Sequence, residues 1–173
     1  TWKGCWTMDR AVLISIRPEW VVRITSGKKT LEVRKNRPKL ELPFKCYIYE
    51  TQGRTETPWI DEGGHSIFKG RGMVIGEFLC DTILPIQVEC SSPVALGAGI
   101  EIPGTCLTDR QILEYLGNGK RGFAWHISNL KIYDMPKPLS AFKGLRKTKF
   151  GYEPVEIKRP PQSWCYVEEL RNE

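Results

Sequence analysis

Short runs in which apolar and polar residues alternate recur along the chain and predict a mainly β protein. The run 11–16 is apolar except for Ser15 and ends at Arg17-Pro18, and the run 29–35 alternates with period 2. A period of 2 is typical of a strand with one face buried. Similar patterns predict further strands over 44–49, 73–82, 86–90, 123–133 and 163–168.

Two segments have helical spacing instead. Pro18 suits the first turn of a helix, which we expect to continue to Ser26 and to end at Gly27. A second helix begins at a capping box formed by Thr108 and Gln111. Because strands and helices do not alternate regularly, the pattern predicts a mixed α/β, mainly β fold: a small barrel with helices packed outside.

The chain has 173 residues, which suits one domain. We expect the domain to span 8–173, after an N-terminal extension at 1–7, with loop insertions near 51–72 and 91–105. The longest apolar stretch has about six residues, far short of the roughly 20 that cross a bilayer, so we expect no membrane partner. Residues 1–7 lack the apolar core of a signal peptide. These features predict a cytoplasmic protein and leave its oligomeric state open.

The six cysteines are spread along the chain without a C-x-x-C pair, and neither His65 nor His126 lies near two of them. Zinc sites need such spacings. We therefore expect reduced thiols, no metal and no cofactor.

The basic residues are concentrated in two stretches. Lys and Arg number 26 against 20 Asp and Glu, a net charge of +6. Eight of the basic residues fall within 17–39, and a second group lies within 137–149. Two basic stretches on a folded domain suggest a nucleic-acid surface. A solvated basic face and a surface for an acidic protein remain alternatives.

The segment 26–34 carries the most specific pattern, with Gly27, Lys29, Glu32 and Arg34 spaced as G-x-K-x-x-E-x-R. The strand pattern places Thr30, Glu32 and Arg34 on one face, which Lys29 joins if it swings round at the junction with the helix. A carboxylate flanked by cations can accept hydrogen bonds from a base, while an arginine contacts phosphate or stacks.

This spacing resembles the signature of ASCH domains, which are members of the PUA-like superfamily. The segments 74–78, 124–133 and 136–142 resemble other parts of the same family in the same order, and 160–164 resembles uncharacterised bacterial and phage members. The resemblance implies a PUA-like β-barrel with two or three packed helices and a cleft beside the signature.

The resemblance also implies nucleic-acid binding, with RNA favoured over DNA and with recognition of a modified or flipped base as a specific possibility. No residue plainly reads a 2′-hydroxyl group, so the preference for RNA rests on the resemblance alone. The candidate binding residues are Lys28, Lys29, Thr30, Glu32, Arg34, Lys35, Trp59 and Trp125.

The aromatic residues differ in what their positions predict. Trp59 lies in a glycine-rich loop and is the best candidate for an exposed ring. Trp125 shares a strand face with apolar neighbours, which favours a place in the core, and Trp20 on the first helix is expected to be core as well. His126 lies opposite Trp125 and is interpreted as a surface residue.

The alternative function is an amidohydrolase acting on N4-acylated cytidine or a related modified nucleoside, which some ASCH proteins resemble. Its catalytic residues here would be Lys29 and Glu32. The family's threonine position falls on Glu32, Thr30 lies two residues early, and Glu101 is only the closest glutamate in order. Glu32 would then act as a general base for water, with Lys29 stabilising the developing negative charge.

Overall fold

The computed structural model describes residues 9–57, 66–89, 92–95 and 102–171. Its strands are β1 (Arg10–Ile16), β2 (Leu31–Arg34), β3 (Phe44–Glu50), β4 (Arg54–Thr57), β5 (Ser66–Lys69), β6 (Met73–Cys80), β7 (Ile83–Glu89), β8 (Ser92–Ala95), β9 (Arg121–His126), β10 (Ser128–Lys137), β11 (Lys143–Thr148), β12 (Gly151–Glu156) and β13 (Trp164–Glu168). The helices are α1 (Pro18–Thr25), α2 (Asp109–Leu116) and a 3₁₀ turn (Leu139–Ala141).

A seven-stranded sheet with the order β10-β6-β3-β1-β13-β11-β12 forms the larger part of the fold. Its middle strand, β1, pairs in parallel with β3 and antiparallel with β13. Ala11 and Leu13 pack into one core cluster, whereas Val12 and Ile14 pack into another on the opposite face. Burial on both faces explains why this strand is a nearly continuous apolar run.

A four-stranded sheet with the order β2-β9-β7-β8 carries the second part of the fold. Leu31 and Val33 of β2 pack in a third core cluster against Ile112 and Leu116 of α2. The predicted capping box at the start of α2 is present, because Thr108 accepts the backbone N–H of its partner in the box. This packing fixes α2 beside β2.

The predicted strand 123–133 is divided between the two sheets. β9 belongs to the four-stranded sheet and β10 to the seven-stranded sheet, and Asn129, with φ of 48°, lies next to the change of direction. The β4–β5 hairpin and β8 lie within stretches that the sequence predicted as irregular loops, and the β11–β12 hairpin was not predicted.

The mainly β class with two α-helices is confirmed for the described residues. Their strands pair into two open sheets and one hairpin, so a closed barrel remains a prediction. The expected extension at 1–7 lies outside the described residues, and the single-domain boundaries also remain predictions. Among the described residues, no helix is long and apolar enough to cross a membrane.

Candidate functional site

The connection between α1 and β2 places the signature residues. Gly27, with φ of +75°, turns the chain at the end of α1, and the Lys29 N–H then bonds to the Arg23 carbonyl at 2.9 Å. Regular strand geometry begins only at Leu31. Because Lys29 precedes the strand, it does not follow the period of 2, and its side chain lies on the same side as Glu32.

Thr30 departs from the predicted common face for the same reason. It is exposed, and its hydroxyl lies against Gly104, where an added Cβ would meet Thr30 Oγ1 at 2.3 Å. Its N–H bonds to the Gly104 carbonyl at 2.8 Å. The face that Glu32 presents is therefore shared with Lys29 and Arg34 and not with Thr30.

Three charged side chains form a buried cluster that we name the signature triad: Lys29, Glu32 and Arg34. Their exposed fractions are only 2%, 6% and 8%. Lys29 Nζ lies 3.3 Å from Glu32 Oε2, and Arg34 Nη2 donates to Glu32 Oε1 at 2.8 Å. One carboxylate thus holds two cations, which leaves a net positive charge at a site with little access to water.

Backbone and hydroxyl groups fix the orientation of both cations. Lys29 Nζ donates to the Thr105 carbonyl at 2.6 Å, so the segment that precedes α2 holds the ammonium group in place. Arg34 Nη2 donates to the Ser15 carbonyl at 2.8 Å, and Nη1 donates to Ser163 Oγ at 3.2 Å. These contacts connect the triad to β1 and to the segment that precedes β13.

Two buried atoms of the triad have no hydrogen-bond partner: Arg34 Nε, and Glu32 Oε2, which is held by its ion pair with Lys29 alone. Buried polar atoms normally have one, and a native exception calls for an explanation. Where they border a cleft, an acceptor held only by an ion pair and a donor without a hydrogen-bond partner suit a ligand that supplies both kinds of group.

The triad lies at the bottom of a cleft of about 990 Å³, which we name the signature cleft. Its walls are α1, the residues after β2, α2 and the segment 160–163. Trp20 and Tyr115 contribute aromatic rings to it, and Lys29 Nζ lies 5.3 Å from the Trp20 ring centroid. Trp20 packs against a core cluster as predicted, but it is only partly buried and also lines the cleft.

The other candidate residues are not all gathered at the cleft. Lys35 lines it and stacks over Tyr115, with Nζ 5.2 Å from the ring centroid, whereas Lys28 is exposed outside it. Trp125 is completely buried between Phe44 and Trp164, so it presents no ring face to a ligand. Trp59, His65 and Glu101 lie outside the described residues.

Two signals could have indicated the residues that sequence reasoning missed. Tyr115 and Glu114 lie one turn after the capping box, and both line the cleft; Glu114 is on the side of α2 opposite Ile112 and Leu116, and Tyr115 is at the border of that buried face. Asn36 follows the signature directly and accepts a hydrogen bond from Trp164 Nε1 at 2.8 Å. The sequence shows these polar positions but not that they converge.

Some titratable groups outside the triad have shifted pKa values with identifiable causes. His126 Nδ1 lies 2.6 Å from Asp81 Oδ1, and this hydrogen bond lowers the pKa of the Asp81 carboxyl. Burial raises the pKa of the Cys46 thiol well above its usual value and that of Cys80 to about 12. Within the part of the chain that the structure describes, no group of three potential metal ligands occurs.

The fold and the cleft define a class: a mainly β domain with a buried lysine–glutamate–arginine triad beside a helix-to-strand turn. Two crystal structures of variants of an ASCH protein from Zymomonas mobilis share this fold. A tyrosine-to-phenylalanine variant is 21% identical, with a TM-score of 0.52 over 93% of this chain and 90% of that chain. A serine-to-alanine variant has the same identity and TM-score over 95% and 90% of the two chains.

Neither a family model nor a curated protein matches the sequence. The likeness to the Zymomonas mobilis structures confirms the ASCH fold that the signature indicated, whereas the closed barrel remains a prediction. The chain is a domain with the ASCH fold.

Proposed function

We propose that this chain is a nucleic-acid-binding domain of the ASCH fold that takes one nucleotide, with RNA as the preferred ligand, into the signature cleft. The observation that carries the proposal is the signature triad at the bottom of that cleft. There, Glu32 Oε2 is held by its ion pair with Lys29 but has no hydrogen-bond partner, and neither has Arg34 Nε. The edge of a base offers donors and acceptors at close spacing.

The charge of the cleft supports an anionic ligand. Four cationic side chains line it, against the carboxylates of Glu32 and Glu114. Arg17 and Lys35 are exposed and can contact phosphate; Lys35 would do so from its place over the Tyr115 ring. Phosphate contacts position a nucleic acid, whereas contacts to base edges select among bases.

The two aromatic rings of the cleft support an unpaired base. Trp20 and Tyr115 lie on opposite helices that face the same space. Stacking of a base on an aromatic side chain contributes roughly 1–3 kcal/mol and does not depend strongly on which base is bound. The polar triad and the rings together suit a base that is taken out of a stack.

The alternative amidohydrolase has less support from the geometry. Lys29 and Glu32 are in contact, as a base and a charge-stabilising group would need to be. The Thr30 hydroxyl, however, lies outside the cleft against Gly104, so it is not placed to act as a nucleophile there. The threonine route is therefore not supported, and nothing beyond the two ion pairs of Glu32 favours it as a general base for water, so we do not propose catalysis.

Fluorescence anisotropy with labelled single-stranded and duplex RNA and DNA, at two salt concentrations, tests the proposal. We expect saturable binding that weakens with salt, because each phosphate contact releases counterions. Tyr115→Ala should weaken binding by about 1–3 kcal/mol through lost stacking, and Glu32→Gln should reduce discrimination between bases.

Lys131→Ala is the matched control, because Lys131 is an exposed lysine on β10, at the opposite edge of the sheet from β12. It should bind like the unmodified protein. Equal losses in Lys131→Ala and Tyr115→Ala, or no binding to any of the four nucleic acids, would contradict the proposal.

A further inference from the structure

A row of partly exposed aromatic rings leads from the signature cleft onto the β11–β12 hairpin. Trp164 directly follows Ser163, which lines the cleft. The ring centroids of Trp164 and Tyr166 are 5.3 Å apart, and those of Tyr166 and Tyr152 are 6.0 Å apart. Each of the three side chains is partly exposed, and the Arg10 guanidinium lies over the row, 4.6 Å from the Tyr152 ring centroid and 5.7 Å from that of Tyr166. We name Trp164, Tyr166 and Tyr152 the aromatic strip.

Basic groups flank the aromatic strip on both sides. The Lys39 N–H donates to Tyr166 Oη at 2.8 Å, so the chain that leaves the signature and carries exposed Lys35 and Arg37 runs along the strip. On the other side, Lys147 is paired with Tyr152 across the hairpin. Directly opposed residues of an antiparallel pair lie on the same face, so the Lys147 side chain stands beside the Tyr152 ring.

The far end of the hairpin carries an aromatic side chain that the fold does not use. Phe150 is 90% exposed, the most exposed of the large hydrophobic residues in the described part of the chain. Lys149 Nζ lies 4.9 Å from its ring centroid. A single exposed apolar residue is common on protein surfaces, so Phe150 matters here through its position two residues before Tyr152 and through the lysine over its ring. An exposed aromatic ring beside a lysine has the chemistry of a surface that stacks unpaired bases.

We propose that the aromatic strip and Phe150 bind the single-stranded nucleic acid that continues from the nucleotide held in the cleft. This inference rests on the proposed function and adds the class of ligand: a single strand of several nucleotides, not a duplex. In a duplex the faces of the bases are covered by their neighbours, so these rings would have nothing to stack on. The continuity of the strip with the cleft and the charge of its flanks favour a nucleic acid over an acidic protein.

A labelled single-stranded decanucleotide, the same sequence as a duplex, and heparin are the probes that test the inference. The variants are Phe150→Ala and Lys147→Ala. Met135→Ala is the control for loss of an exposed apolar side chain, and Lys131→Ala is the control for loss of an exposed lysine, both on β10 at the other edge of the sheet.

Phe150→Ala should weaken binding of the single strand by at least about fivefold, the fold-change that corresponds to the weaker end of base stacking. It should leave the affinity for heparin unchanged, since heparin has no bases. Lys147→Ala should lower the slope of log affinity against log salt by about 0.7, the value for one phosphate contact on a single strand. The two control variants should behave like the unmodified protein. Thermal unfolding of Phe150→Ala should be unchanged, because its ring is almost fully exposed.

The outcomes separate this inference from the proposed function. If Tyr115→Ala weakens binding of the decanucleotide but Phe150→Ala and Lys147→Ala do not, the strip is not a binding surface, and the proposal for the cleft stands. If Phe150→Ala weakens heparin as much as the single strand, or the duplex binds as tightly as the single strand, the inference is also overturned. If the unmodified protein binds no decanucleotide, both proposals are wrong.

Discussion

Replacing Glu32 by glutamine should destabilise the domain far more than the loss of one surface ion pair would. The carboxylate lies 2.8 Å from Arg34 Nη2 and 3.3 Å from Lys29 Nζ, and all three residues are more than nine-tenths buried. Glutamine keeps the shape but removes the charge, which leaves two buried cations without a counter-charge.

The size of the effect follows from burial. At an effective dielectric constant of about 20, a charge pair at about 3 Å interacts by roughly 5 kcal/mol, and desolvation offsets part of this. Removal of one partner from a buried pair costs about 3–5 kcal/mol in practice. At about 2–4 °C per kcal/mol for a chain of this length, Glu32→Gln should lower Tm by roughly 6–20 °C.

Glu114→Gln is the matched control for this experiment. Arg110 Nε lies 2.8 Å from Glu114 Oε1, the same distance as in the buried Glu32–Arg34 pair, but both side chains are largely exposed. An exposed helical pair of this kind contributes only about 0.3–0.5 kcal/mol. Urea unfolding monitored by circular dichroism measures both variants on the same scale.

Two results would refute the reasoning. Equal losses of stability in Glu32→Gln and Glu114→Gln would show that burial does not set the strength of the pair. If the double variant Lys29→Gln/Glu32→Gln were no more stable than Glu32→Gln alone, the unpaired Lys29 ammonium would not be the cause of the destabilisation. We expect the double variant to recover at least about 1 kcal/mol, because residues in contact are energetically coupled.

Three further predictions concern the supports of the site and the core. Gly104→Ala should destabilise the domain more than Gly119→Ala in urea unfolding; both glycines have positive φ, but only at Gly104 would the new Cβ clash with Thr30. Equal losses would contradict this. Thr108→Ala should cost about 1 kcal/mol through the lost capping box, and unchanged unfolding would show the cap to be unimportant. Burial raises the pKa of Cys80 to about 12, whereas the unfolded thiol has a pKa of about 8.5. Between these two values the unfolded chain loses the thiol proton and the folded chain keeps it, so the free energy of unfolding should fall by up to about 1.4 kcal/mol per pH unit. The fall should be less steep in Cys80→Ala.

The elements that the sequence predicted best are those whose burial pattern is local. The run 11–16 is buried on both faces and appears as β1, and the capping box at Thr108 begins α2. The β11–β12 hairpin escaped prediction because its residues, including Arg146 and Lys147, are mostly polar and exposed, so no alternation marks the strands. The division of 123–133 between two sheets depends on tertiary pairing, which periodicity does not encode.

The sequence predicted the charged residues of the candidate site, but it did not predict that Trp20 and Tyr115 line the same cleft. Spacing alone identified Glu32 and Arg34, whereas the inward position of Lys29 depends on the turn at Gly27 and on the Thr105 carbonyl. Trp20 was assigned to the core because a helical aromatic usually packs there. Its partial exposure follows from the cleft between α1 and α2, which is a property of the assembled fold.

Photochemical crosslinking of the protein to a single-stranded RNA, followed by mass spectrometry of the linked peptides, tests the central claim most directly. The account predicts crosslinks at Trp20 and Tyr115, which Glu32→Gln should redistribute and an excess of unlabelled RNA should abolish. Crosslinks confined to other surfaces, such as the β10 edge around Met135, would contradict a nucleotide site in the signature cleft.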